Sequence, residues 1–216
     1  MFPERVSALL KNHTTLDDEV VLARQYHAWC FNSRQSVITC DLADEATVRI
    51  EQLNFLLKSV VALMASVFPS PKVGDAEAYK LNYQASFLLE LYTETFYYIA
   101  HRLQAICEDE HSCLPHLEGY ETVKEVQIVR NQLLEHPEGR ASGVTERRWT
   151  IKSDVGPVVK DARRPDQPAT HRDPGLYPTS KRLRAALFNV FTGALKEIAA
   201  EPADYAPFVE FRKPGA

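Results

Sequence analysis

From about Asp75 to Cys107 the chain keeps one helical period for roughly nine turns. Leu81, Ala85, Leu88, Tyr92, Thr95, Ile99, Leu103 and Ile106 step by threes and fours, which puts them on one face of a helix approaching 50 Å in length. A rod of this length buries its stripe by lying beside other helices. Phe87, Tyr97 and Tyr98 fall beside or off the stripe and are expected to cover a second surface, such as a subunit contact.

The rest of the chain supplies the neighbours. Thr15, followed by Leu16, Asp17, Asp18 and Glu19, reads as a capping hydroxyl ahead of acids in a first helical turn. That helix is predicted to run to about Thr39, with Val20, Ala23, Tyr26, Cys30 and Val37 on its apolar face. Asp41 or Asp44 then caps a second helix reaching about Phe68. Its Leu53, Leu56, Leu57, Val60, Val61, Leu63 and Met64 are apolar nearly all round, so it is expected to lie centrally. Pro69, Pro71 and Gly74 break the chain before the long helix.

A fourth helix is predicted from about Tyr120 to Glu135 and is stopped by Pro137. A fifth, capped by Thr179 or Ser180, carries Leu183, Leu187, Val190, Ala194 and Ile198 and ends at Pro202. The tail beyond it holds Tyr205, Phe208, Val209 and Phe211, ready to pack on the body or on a partner. The predicted fold is therefore all-α, a bundle of about five helices in a single domain spanning 1–216. A long irregular insertion at 138–177 precedes the last helix, and within it Arg148–Ser153 and Val155–Lys160 have the pattern of a small β-hairpin.

Charge is distributed unevenly. Between Arg140 and Arg184 there are eleven Lys or Arg against five Asp or Glu, an excess of six, so the rest of a chain with net charge -4 stands at -10. A basic segment on an acidic body steers a polyanion to one place; the plainer reading is a polar loop whose charges face water. The first twenty residues have no long apolar stretch, so no secretory signal is expected. The least polar run, Ser59 to Pro71, is shorter than the roughly 20 residues that a bilayer span needs. Four cysteines in 216 residues do not form a disulfide framework, and a reducing cytoplasm is the expected setting.

The most informative short stretch runs from Glu125 to Pro137. With Val126 taken as the origin on a helix, Arg130 lies at about 40°, between Val126 and Val123, and Leu133 and Leu134 flank the same arc. A guanidinium aimed into an apolar face must meet anionic or hydrogen-bonding partners, because burying it unpaired is strongly unfavourable.

Arg130, Asn131 and, with five residues between it and the arginine, His136 form a pattern that resembles the signature of the HEPN superfamily: arginine, a polar residue, then histidine late in a helix. The resemblance covers about seven residues in an all-helical setting. It implies a small helical bundle acting as a homodimer, often a metal-independent endoribonuclease, and in bacteria often a toxin beside a nucleotidyltransferase antitoxin. On that resemblance Arg130 binds the scissile phosphate, His136 serves as general base and Asn131 orients one or the other. Lys152, Lys160, Arg163, Arg164 and Arg172 are the candidate RNA-holding residues of the basic segment. The competing reading is a non-catalytic helical interaction or regulatory module. In it Arg130 pairs with an acid such as Glu90 or Glu94, and His136 caps a helix end.

Cys107, His111, Cys113 and His116 offer ligand types suited to zinc within ten residues. Their spacing matches no common zinc module, and an acid-rich loop between helices is the favoured reading. No cofactor is expected. The eight glycines form no phosphate loop or dinucleotide fingerprint, Glu-x-x-His does not recur on two helices, and no Gly-x-Ser-x-Gly elbow occurs.

Overall fold

The computed structural model describes residues 14–67, 76–108, 114–130, 158–159, 171–172 and 176–200. Among these the architecture is all-α, with five helices: α1 (Asp17–Asn32), α2 (Val37–Val67), α3 (Ala76–Glu108), α4 (Lys124–Val129) and α5 (Leu176–Ala200). One short antiparallel pairing joins β1 (Val158–Val159) to β2 (His171–Arg172), with Val158 opposite Arg172 and Val159 opposite His171. Val158 and Val159 belong to the second run of the expected hairpin, but their partner is the segment at His171; the first run, 148–153, lies outside the described residues. So do the predicted break at 69–74, most of the insertion, Pro202 and the tail. No helix among the described residues is long and apolar enough to cross a membrane.

The chain divides into two units. One comprises Met1–Thr15, Phe55–Tyr98 and Lys124–Ser180; the other comprises Leu16–Asn54, Ile99–Val123 and Lys181–Ala216.

In the second unit α1 and the first part of α2 meet through small residues. Ala23, Ala43 and Ala46 are buried, and Thr47 Oγ1 shares its proton between the carbonyls of Ala43 (2.8 Å) and Ala23 (3.3 Å). Tyr26, one turn beyond Ala23, is the hub of the aromatic core. Its hydroxyl donates to the Pro115 carbonyl at 2.6 Å, its ring meets Phe191 of α5 edge-on at 5.6 Å, and Trp29 lies 5.8 Å away. Along α5, Leu183, Leu187, Val190, Ala194 and Ile198 are all buried, as their spacing predicts.

Several helix ends differ from the sequence expectation, each for a local reason. Thr15 does not cap α1. The cap residue is Leu16, and Asn54 of α2 does the polar work: its Oδ1 accepts the Leu16 N–H at 2.8 Å and its Nδ2 donates to Asp17 Oδ1 at 2.9 Å. Nor does α1 reach Thr39. It ends at Asn32 in a Schellman turn, with Gln35 N–H donating to Cys30 O, Arg34 N–H donating to Phe31 O, and Arg34 itself left-handed at φ 55°. Ser36, not Asp41 or Asp44, then caps α2, its Oγ accepting the Thr39 N–H at 3.1 Å. Val37 therefore begins a new helix and lies exposed instead of extending the α1 face.

Gln104 delays the start of α4. This buried side chain of α3 accepts from both Tyr120 Oη (3.2 Å) and Val123 N–H (3.0 Å), which holds residues 120–123 out of the helix that follows. In the first unit, α5 begins at Leu176, with Pro178 in its first turn, where a missing N–H costs nothing. Thr179 is consequently inside the helix, and its hydroxyl pairs with Tyr97 Oη at 3.2 Å. Tyr97 and Phe96, stacked edge-on at 5.6 Å, are buried along with Ala85 and Thr93. Of the predicted α3 stripe, Ala85, Ile99, Leu103 and Ile106 are buried as expected, while Leu81 is exposed and Leu88, Tyr92 and Thr95 are half-buried.

Two stability predictions follow from these contacts. Arg34→Gly relieves the left-handed strain and should raise unfolding stability by about 0.5–1 kcal/mol in a urea titration. Tyr26→Phe leaves the Pro115 carbonyl without its donor and should cost about 1–2 kcal/mol in the same assay, with little change in helical content by circular dichroism.

Candidate functional site

Arg130 is half-buried at the end of α4, with its Nε shielded from solvent. On the same helix Val126 and Val129 are fully buried, so the arginine shares the helix's inward side.

Asn131 and His136, the other two residues of the expected catalytic set, lie outside the described residues, as do Lys152, Lys160, Arg163 and Arg164. Arg172 is described in its backbone alone, as part of β2.

Of the four residues with zinc-ligand chemistry, two are described. Cys107 is buried in the last turn of α3, where burial pushes its thiol up to about 12. His116 occupies a left-handed turn at φ 66°, its Nδ1 2.9 Å from Glu197 Oε2 and its ring 5.8 Å from that of Trp29. Among the described residues no group of three or more His, Cys, Asp or Glu side chains is placed to hold a metal ion.

The charged cluster most deeply set into the core is one that the helix-start pattern reads only as a capping signal. Glu19 is 0% exposed, while its neighbour Asp18 is partly open to water. Arg184 of α5 bridges the two, donating from Nε to Glu19 Oε1 and from Nη2 to Asp18 Oδ2, both at 3.1 Å. Glu19 Oε2 is buried with no hydrogen-bond partner among the described residues. Burial raises the Glu19 carboxyl above its ordinary value; hydrogen bonds from its own backbone and from Arg184 oppose that rise, and Asp18 adds to it. The signal was present in the sequence: Glu19, Ala23, Tyr26 and Cys30 step by four, three and four along the buried face. Arg184 orients the carboxylate and neutralises it, which makes the cluster a structural clamp between α1 and α5.

No protein-family model matches the chain, and no curated protein or solved structure is significantly similar to it.

The Glu19 arrangement has a definite pH signature. The folded chain holds the Glu19 proton more tightly than the unfolded chain, so stability falls as pH rises from 4.5 through the raised folded value. Glu19→Gln cannot ionise and lacks that loss. Urea midpoints at pH about 4 and about 7 should therefore shift in the variant's favour, relative to wild type, toward neutral pH. An offset that stays constant would contradict the assignment.

Proposed function

We propose that this chain is a HEPN-like RNA-binding protein that works in the cytoplasm as a homodimer and cleaves RNA without a metal. The observation that carries the reading is Arg130, an arginine half-buried beside Val126 and Val129 at the end of α4, with its Nε shielded from solvent. A guanidinium held in one direction recognises a phosphate at lower entropic cost than one free on the surface, and its planar fork matches phosphate oxygens. The three free cysteines among the described residues, Cys30, Cys40 and Cys107, accord with a reducing compartment.

In this reading His136 takes the proton from the ribose 2′-hydroxyl, a task suited to an imidazole at neutral pH. The 2′-oxygen bonds to phosphorus as the bond to the 5′-oxygen breaks, and the departing oxygen takes a proton from water. Arg130 stabilises the charge that gathers on the phosphate oxygens, and Asn131 orients the histidine or the phosphate. Lys152, Lys160, Arg163, Arg164 and Arg172 hold the flanking strand through its phosphates, so binding weakens with salt. A small nucleotidyltransferase encoded alongside would be the fitting antitoxin partner.

The alternative, a non-catalytic helical interaction module, draws support from a different observation: Tyr83, Phe87, Leu91 and Tyr98 of α3 are all exposed.

Incubation of wild type, Arg130→Ala and His136→Ala with mixed RNA in the presence of a chelator separates the two. Cleavage by wild type alone is expected, with a loss of about 100-fold or more in His136→Ala. RNA left intact by all three proteins would remove the nuclease reading.

A further inference from the structure

The corner between α1 and α2 is apolar on its outside. Phe31 is 71% exposed, Val37 76% and Ile38 63%. The turn that carries them is closely specified: Gln35 N–H closes it on Cys30 O, Arg34 takes the left-handed position, and Ser36 caps α2. Phe31 on one side of the turn, and Val37 and Ile38 on the other, are therefore presented to water in a fixed arrangement. Such a surface is costly to keep bare. Three side chains are far too few for a free protein partner, since each side of a standard interface uses roughly 20–30 residues. A segment tethered close by has no such requirement, because a short linker holds it at a roughly millimolar effective concentration.

The end of α5 lies beside that corner, within the same unit. α5 runs parallel to α1. Arg184 bonds to Glu19 near the start, Phe191 packs on Tyr26 in the middle, and near the end Glu197 meets His116, whose ring lies against Trp29. From Tyr26 to Asn32 α1 rises about 9 Å, and from Phe191 to Ala200 α5 rises about 13 Å, so the two helices finish at nearly the same height. Packed helices lie about 8–10 Å apart. Five residues, at roughly 3.4 Å each, more than span that gap. The fifth residue after Ala200 is Tyr205, and Phe208, Val209 and Phe211 follow it. Charges come next in matching order. Beyond Val37, at steps of four and three along α2, stand the exposed Asp41 and Asp44; beyond Phe211 stand Arg212 and Lys213.

We propose that residues 205–213 of the same chain dock on this corner, setting Tyr205, Phe208, Val209 and Phe211 against Phe31, Val37 and Ile38. Arg212 and Lys213 then lie beside Asp41 and Asp44. The segment leaves α5 at the level of the corner and runs on along α2, a strap that ties the last helix to the first two. It is argued without Arg130 or RNA, so it stands or falls apart from the nuclease reading.

A crosslink on the full chain tests it. Cys40, in the first turn of α2, supplies one thiol; Ala206→Cys supplies the other without touching the apolar residues, and Cys113→Ser removes a competing one. At about 1 µM protein a short bismaleimide should join Cys40 to the new cysteine within one chain, read by mass spectrometry of the digested product. Ile38→Asp, or Phe208→Asp combined with Phe211→Asp, should lower the yield at least about fivefold. Asp41→Lys should lower it about twofold to fivefold, and adding Arg212→Glu should bring it back to within about twofold. Ile38 and Asp41 are exposed, and circular dichroism matching the parent establishes that the variants are folded. A yield that the apolar substitutions leave unchanged, or a link that forms only between two chains, would overturn the proposal. Failure of the charge reversal to recover the link would overturn the direction along α2.

Discussion

A phenol cannot be buried without a destination for its proton, and the second unit is arranged around that requirement at Tyr26. The Tyr26 ring is sealed between Trp29 and Phe191, while its hydroxyl finds the Pro115 carbonyl 89 residues further along the chain. That one bond ties α1 to the turn following α3, and the ring contact ties α1 to α5. Removing water from the site makes the bond stronger and its loss more costly. The turn at 114–117, which includes the left-handed His116, is held by the same aromatic cluster through the contact of Trp29 with the His116 ring.

The helices of this protein were largely legible from periodicity, because burial of an apolar stripe is a property that each segment carries by itself. α3 was expected from Asp75 to Cys107 and spans Ala76–Glu108, and every residue of the α5 stripe is buried. The ends were less legible, since distant polar side chains decide them. Asn54 acts at the start of α1 from 37 residues away, Gln104 holds back α4, and Tyr97 takes the Thr179 hydroxyl that sequence reasoning assigned to a cap. The break at Asn32 to Ser36 has another cause. Its left-handed position is filled by Arg34, where the local signal would have been glycine.

The candidate site was legible in part. An inward-facing arginine follows from the position of Arg130 within an apolar arc, and its half-burial on α4 is of that kind. The buried carboxylate of Glu19 was hidden by its neighbours: three consecutive acids at a helix start are read together as a dipole effect, although only the third sits on the buried face. On α3, Tyr97 was grouped with Phe87 and Tyr98 as surface-covering aromatics. A rotation of about one residue position separates the first from the other two, and that was enough to send Tyr97 into the core and leave Phe87 and Tyr98 in water.

The thiols also follow from the packing. Cys30 and Cys107 are enclosed, and each is pushed up to about 12 by its surroundings, so at neutral pH almost none of either is thiolate. Cys40, in the first turn of α2, is only half-buried and directs its sulfur toward the Gln35 carbonyl at 3.9 Å. Among the described cysteines, then, an electrophile or a peroxide meeting the folded molecule has one thiol within reach, at the corner between the first two helices. The other two become reactive only once the helices around them have come apart, which makes their alkylation a clock for opening of the core.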